Sequence, residues 1–435
     1  MRFIDKKIYF LLFLVFISGC VKVYNNCLQP IKSDVRKGRF DSAISRIEKT
    51  QLSKSWKDRL LYNIEAGLLY HLAGRHRKSN LFFEEAEWIS DEMYTKSLSA
   101  AAASMVTSDN IIPYYGQEYE YLLINYYKLL NYLLLGEYED ALVECRRLNH
   151  KLPLFDTELP VLHYITAILY ELDKQTSSAF IEYKKAYRSY QEYDIPVPES
   201  LLNDIAYFCK KTDFPRKAEF PASVINRKTS NRSAELIAII ESGFVPYINE
   251  ERIETAIPQE YHKKYPEELV DTYYVNVALP VLHESLNKTD TAILKLNNNS
   301  VDLHTAENIS KVFKKEFEKK KGQVAAKSIA RAVTKYLTYK SVKGKSGKDD
   351  ENILRKLLGF TVNVFNVATE KADTRAWLLL PACIYFNRIP VDPGIIDTEL
   401  ILTGVDGKTT GIYKDEIEIK PDEVRFLVLR GFIDQ

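Results

Sequence analysis

One recurring pattern in the first half of the chain restricts most strongly how it can fold. A turn residue, usually glycine, is followed at +2 by an aromatic ring, histidine or threonine, at +5 by a small residue and at +9 by a larger one. Because a helix repeats every 3.6 residues, +5 and +9 share one face. The pattern predicts helix pairs that cross at small residues, with glycine ending the first helix. The copies begin at Gly38, Gly74, Gly136 and, in a degenerate form, Lys174.

These offsets resemble the tetratricopeptide repeat (TPR), a two-helix unit of about 34 residues. The resemblance implies a curved array whose concave face binds peptides or partner helices. Two occupants of that face remain open, a protein partner or the C-terminal half of the same chain. The candidate groove positions are Ile64, Leu68, His71, Tyr126, Leu130, Leu133, Tyr164, Ile168 and Glu171.

The N-terminus resembles a bacterial lipoprotein signal. Basic residues precede an unbroken apolar run at 8–17. A helix of that length rises about 15 Å, too short for a bilayer core of about 30 Å, and fits the apolar region of a secretory signal. The run ends in Ile17-Ser18-Gly19-Cys20, which resembles a lipobox. The resemblance implies cleavage before Cys20, acylation there, and attachment to the outer membrane facing the periplasm. An ordinary signal peptide is the alternative.

The second half changes period and predicts mixed structure. Residues 234–241 and 251–257 read as strands that we expect to pair as a hairpin around a turn at 243–246. Residues 305–339 read as a helix broken near Gly322, and 376–387 as a strand. The predicted fold class is α+β: a TPR-like α-solenoid followed by a β-rich module. The predicted divisions are a signal peptide (1–19), a lipidated tether (20–30), a TPR-like helical domain (31–210), a linker (211–233) and an α+β module (234–435) with a helical insert (305–370).

Residues 311–348 carry thirteen basic residues against two acidic ones. One interpretation is contact with an anionic surface such as lipid headgroups or cell-wall glycan. The other is a solvated helix face. The whole chain has 60 basic and 59 acidic residues, so it has no overall field that would attract nucleic acid.

No short motif of established catalytic chemistry is present in the sequence. There is no GxSxG, no second histidine at the metalloprotease spacing after His283-Glu284, and Tyr339 stands where a phosphate loop requires glycine. We therefore expect no enzyme activity, no metal, no cofactor and no small-molecule substrate. No CxxC occurs either, so neither a zinc ribbon nor a thioredoxin-type pair is indicated. Export permits a disulfide, but Cys145 lies on the apolar side of a predicted helix and Cys383 inside an apolar strand, so buried thiols are expected. The cysteines besides Cys20 are Cys27, Cys145, Cys209 and Cys383.

Two blocks resemble a family of uncharacterised bacterial lipoproteins that contain TPRs. They are NYLLLGEYEDALVECRRLN at 131–149 and ADTRAWLLLPA at 372–382. The resemblance implies a lipid-anchored, extracytoplasmic scaffold that binds protein partners in envelope or cell-wall assembly, and it carries no catalytic residues. The alternatives are a glycan- or lipid-binding protein acting through 311–348 and an unrecognised hydrolase.

Overall fold

The computed structural model describes residues 24–100, 113–193, 195–229, 232–258, 272–285, 289–343 and 372–433. The predicted signal peptide and Cys20 lie outside these residues, and so does a helix that the sequence favours at 350–369. Within them the fold mixes α and β structure, with helices in the first half and a β-rich second half.

The first half consists of helices joined by short turns, in which each consecutive pair packs together and then against the next pair. Its helices are α1 (Tyr24–Arg36), α2 (Phe40–Glu48), α3 (Arg59–Leu72), α4 (His76–Ala100), α5 (Glu118–Leu135), α6 (Tyr138–Lys151), α7 (Pro160–Leu172), α8 (Thr176–Glu192), α9 (Glu199–Thr212) and the short α10 (Ala222–Ile225).

The turns and helix crossings have the geometry that the recurring pattern predicts. Gly74 and Gly136 end their helices in the left-handed region, at φ of 70° and 73°. Lys174 adopts the same conformation at φ 59°, although it carries a side chain. Gly67 on α3 lies so close to α4 that an added Cβ would stand 2.8 Å from the Phe83 ring. The predicted small residues at the crossings are fully buried.

The second half is built around a seven-stranded sheet with the order β8-β7-β4-β5-β6-β1-β9 and a separate hairpin, β2–β3. Neighbouring strands in the sheet are antiparallel except β1 and β9, which are parallel. The strands are β1 (Ala234–Ser242), β2 (Tyr247–Pro258), β3 (Thr272–His283), β4 (Thr289–Leu296), β5 (Asn299–Glu307), β6 (Cys383–Val391), β7 (Gly394–Gly404), β8 (Thr409–Ile419) and β9 (Val424–Gly431).

The predicted hairpin of the first two strands is wrong. β1 pairs with β6 on one side and β9 on the other, whereas β2 pairs with β3. All nine residues of β1 are buried, and a strand buried on both faces belongs in the middle of a sheet. The strand prediction for 376–387 is correct only from Cys383 onward.

The sheet separates two hydrophobic cores. Ile237 and Ile239 of β1 pack into the core shared with the helices. Leu236, Ala238 and Ile240 alternate with them and pack into a second core enclosed by the sheet. The edge strands β8 and β9 lie next to each other, so the sheet is nearly closed. The helical half therefore covers one face of a curved sheet.

Three predicted segments look different in the structure. Residues 24–30, expected in the tether, form the start of α1, where Tyr24 and Leu28 are buried. The expected linker contains α10, and Phe220 there is also buried. The helical insert begins as α11 (Ile309–Lys343), because the preceding residues belong to β5, and α11 runs without a break through Gly322.

Candidate functional site

The nine side chains expected to line a partner groove face the interior of the protein. Eight are buried, and Glu171 exposes only 7% of its side chain. The C-terminal half contacts two of them: the rings of Tyr164 and Phe386 lie 4.7 Å apart, and Arg388 donates to Glu171. These side chains cannot contact another protein while the two halves pack in this way. Of the two occupants that the sequence leaves open, the contacts of Tyr164 and Glu171 favour the C-terminal half of the same chain. The eight are Ile64, Leu68, His71, Tyr126, Leu130, Leu133, Tyr164 and Ile168.

Residues 372–382, which we call the inserted segment, enter the helical half as irregular backbone that turns at Leu378 and Leu379. Glu65 of α3 accepts hydrogen bonds from the backbone N–H groups of Leu378 at 2.8 Å and Leu379 at 3.2 Å. The hydroxyl of Tyr24 on α1 donates to the same carboxylate at 2.5 Å. One buried acid thus joins α1, α3 and the inserted segment.

Glu120 holds the neighbouring residue of the inserted segment. Its carboxylate accepts the N–H of Trp377 at 2.8 Å and a bond from the hydroxyl of Tyr114. The indole of Trp377 is fully buried and lies 5.7 Å from the ring of Tyr127 and 5.9 Å from that of Phe83. Together, Glu65 and Glu120 bind the backbone of three consecutive residues.

The electrostatics of this interface follow from burial. Burial raises the pKa of Glu65 to about 7. The hydrogen bonds from Tyr24 and the two N–H groups lower this pKa, but burial has the larger effect. Burial likewise raises the pKa of Glu120. Perturbed acids often mark active sites, but structural networks perturb pKa values too. Here the donors to both acids come from the chain itself, so their direct role is to hold the inserted segment.

A second buried network fastens β6 to the helices. The guanidinium of Arg388, with 1% of its side chain exposed, pairs with Glu171 at 3.0 Å and with Glu235 at 2.7 Å. Arg232 pairs with Asp204 of α9 at 2.7 Å. Removing one member of such a network would leave a buried charge without its partner. The network therefore ties the two halves into one unit.

A cavity of about 280 Å³ opens beside the inserted segment, and we call it the basic pocket. It lies between the loop at 113–119, the β2–β3 hairpin and α11. Its walls are largely apolar and aromatic, which is typical of ligand sites. The apolar and aromatic wall residues are Pro113, Tyr114, Tyr115, Tyr119, Ile248, Pro280, Phe313, Phe317, Val324 and Ala376.

Three lysines of α11 add charge to the basic pocket. Lys320 and Lys321 are exposed, and Lys327 is half-buried. Their spacing places them on the same face of the helix as Phe317. Lys320 bonds to Gln117 and Lys321 to Glu318, both in contacts open to water. The pocket thus combines an apolar interior with cationic side chains.

The described residues contain no group of three or more His, Cys, Asp or Glu side chains placed to bind a metal ion. Among the described helices, none is both long and apolar enough to cross a membrane. Cys145 and Cys209 are buried thiols, as predicted, and burial raises their pKa to about 12 and about 11. Cys27 and Cys383, in contrast, are only partly buried. Comparison with known protein families and with curated proteins gives no match for this chain.

Sequence reasoning missed Glu65, Glu120 and the basic pocket. A signal existed for both acids. Glu65 stands on the apolar face of α3 between Ile64 and Ala66, and Glu120 is the third residue of a helix whose N-cap, Gln117, forms a capping box with it. Glutamate is almost never fully buried unless it is paired, so its place in an apolar stretch marks a buried contact. The pocket has no such signal, because its walls come from four distant segments.

Proposed function

We propose that the chain is a lipid-anchored, extracytoplasmic scaffold of the bacterial cell envelope. In it, TPR-like helical pairs hold a β-rich module close to the membrane, where the molecule contacts protein partners. The observation that carries this proposal is the position of α1, which begins four residues after Cys20 and is locked into the body through Tyr24 and Glu65.

The repeat geometry supports the TPR-like assignment. The tight approach of Gly67 to Phe83 and the left-handed turns at Gly74, Gly136 and Lys174 recur where the repeat pattern requires them. The helical half holds the inserted segment through backbone N–H groups, and repeat arrays likewise hold peptides along an inner face. The helical half thus uses this mode of binding on its own chain.

The short tether limits the distance between the membrane surface and the folded part of the chain. The four residue-to-residue steps from Cys20 to Tyr24 span at most about 14 Å. An acylated Cys20 at the membrane surface would therefore hold α1 beside the headgroups, rather than on a long flexible linker. Two or more acyl chains on that residue make such an anchor stable.

A partner would meet the outer surface, since the inner face is filled. The outer face of α4 exposes Leu81 and Trp88, at 65% and 56%. They stand seven residues apart, two helical turns, so they share a face. The guanidinium of Arg59 lies 5.5 Å from the Trp88 ring centroid. Exposed tryptophan beside arginine is typical of the residues that dominate protein interfaces.

The anchor is tested by metabolic labelling with an alkyne fatty acid in a bacterial host. Wild type and Cys27→Ala should both be labelled, and Cys20→Ala should not. Mass spectrometry of the N-terminal peptide should place the acyl chains on Cys20. An unlabelled wild-type protein, or label retained by Cys20→Ala, contradicts the anchor.

The partner surface is tested by cross-linking in intact cells followed by purification. Trp88→Glu should lose a partner that wild type captures. Ile395→Glu is the matched control, because Ile395 is 67% exposed on β7, and it should keep that partner. Equal capture by both variants would show that the α4 face is not the contact.

A further inference from the structure

We propose that the basic pocket binds an anionic membrane lipid, with one acyl chain inside and the phosphate on Lys320, Lys321 and Lys327. This inference rests on the proposed function for its access to lipid, because the anchor would bring the pocket to the membrane. It names a binding site, and the chemical class of its ligand, on the surface of the scaffold.

The interior of the pocket fits an acyl chain. Its volume of about 280 Å³ lies at the small end of ligand cavities. Phe313, Phe317 and Val324 of α11 form one wall, and Ile248 and Pro280 of the β2–β3 hairpin form another. These side chains are apolar, so moving a flexible hydrocarbon chain from water onto this surface is favourable in free energy.

The charges favour a phosphate over a neutral or cationic headgroup. The pocket has two acids, and both are already engaged: Asp373 pairs with Arg375, and Glu316 accepts from the hydroxyl of Thr157. Arg375 in turn also pairs with Asp58. The pair of Asp373 and Arg375 is neutral and Glu316 offsets one lysine, so the three lysines of α11 leave the pocket with a formal excess of two positive charges.

The two exposed lysines can be recruited by a ligand. The contacts of Lys320 with Gln117 and of Lys321 with Glu318 are exposed to water. Exposed pairs of this kind contribute little to the stability of the fold, so replacing them with contacts to a phosphate costs little free energy. Charge-assisted bonds from ammonium groups to phosphate are among the stronger hydrogen bonds.

The location of the pocket supports a lipid as the occupant. Helix α1 packs against β2, and Ile248 of β2 lines the pocket. Tyr114, another wall residue, donates its hydroxyl to Glu120, which also binds the inserted segment. The next residues of that segment donate to Glu65, and Glu65 accepts from Tyr24 of α1. The pocket thus lies on the part of the body to which the proposed anchor attaches.

The test uses the purified full-length chain and dihexanoyl phosphatidylglycerol, an anionic lipid, at concentrations where it is monomeric. Native mass spectrometry measures bound lipid, with dihexanoyl phosphatidylcholine as the zwitterionic comparison. We expect at least tenfold tighter binding of the anionic lipid. The double variant Lys320→Ala/Lys321→Ala should lose at least tenfold in affinity, and Val324→Asp should bind still less while keeping its circular dichroism spectrum.

The matched control is the double variant Lys314→Ala/Lys319→Ala. Lys319 is exposed and Lys314 half-buried on α11, and neither lines the pocket, so affinity should stay within twofold of wild type. Equal binding of the two lipids, or equal losses in the two double variants, overturns the proposal. The added lipid makes this test independent of Cys20. Binding by an unacylated chain supports the pocket even though the anchor fails, and an acylated chain that binds no added lipid refutes the pocket alone.

Discussion

Replacing Gly67 by alanine tests how closely the paired helices cross. The new Cβ would lie 2.8 Å from Cε1 of Phe83 and 3.0 Å from Cδ1 and Cζ of the same ring. The ring is fully buried, stacks on Tyr127 with centroids 5.7 Å apart, and contacts Trp377. Because aromatic neighbours hold it, the ring has no free space into which it can move.

Two opposing terms set the size of the effect. Alanine is favoured over glycine inside a helix by about 0.5–1 kcal/mol. Overpacking a closely packed core costs about 1–3 kcal/mol. We therefore expect Gly67→Ala to lower the free energy of unfolding by about 1–2 kcal/mol, measured by chemical denaturation followed by circular dichroism.

A glycine in a different setting provides the control. Gly322 lies inside α11, and an added Cβ there would meet nothing within 4 Å. Gly322→Ala should therefore stabilise the protein by about 0.5–1 kcal/mol. Adding Phe83→Leu to Gly67→Ala should restore part of the lost stability, because leucine leaves room for the methyl group. If Gly67→Ala and Gly322→Ala both stabilise, the close crossing is wrong.

Three further predictions concern the interface between the halves. The pKa of Glu65 is raised from 4.5 to about 7 in the folded protein. Between these two pH values the folded state keeps a proton that the unfolded state releases, so the free energy of unfolding should fall by about 3 kcal/mol as the pH rises from 4.5 to 7. Urea titrations at several pH values should show this slope in wild type, and Glu65→Gln should lack it. Arg388→Ala should cost about 3–5 kcal/mol in a thermal melt, whereas Arg425→Ala, at an exposed pair, should cost less than about 1 kcal/mol. Trp377→Ala should cost about 3–5 kcal/mol by the same melt, and Trp56→Ala, at a 70% exposed residue, should change little.

The helical half was predictable because its signal is local. The offsets from Gly74 to Ser79 and Phe83 lie within one helix pair, and the structure buries both residues at the crossing. Lys174 shows the strength of the pattern, since the turn imposes a left-handed conformation even without glycine. Gly322 was misread as a break, because a single glycine in a long helix costs only about 1 kcal/mol and is tolerated.

The β-rich half was predictable in its strands but not in their pairing. Residues 234–241 form a strand as expected, yet its partners lie some 150 residues or more further along the chain, in β6 and β9. Alternation identifies a strand but does not say which strand is its neighbour. The apolar stretch at 377–380 was read as strand for a related reason: an apolar run alone does not distinguish a buried strand from a buried irregular segment.

The inserted segment is held by residues outside the predicted groove. Glu65 and Glu120 bind its backbone, and the rings of Phe83 and Tyr127 lie beside Trp377. Backbone buried away from water needs partners for its N–H groups. In a sheet, a neighbouring strand would supply them. For residues 377–379, the carboxylates of Glu65 and Glu120 supply them, from helices more than 250 residues earlier in the sequence. A protein partner could reach this interior only by displacing the segment, which would leave its N–H groups without partners and remove hydrogen bonds from two buried acids. Displacement is therefore strongly disfavoured, and under the proposed function the chain should contact other molecules through its outer helical face and the basic pocket.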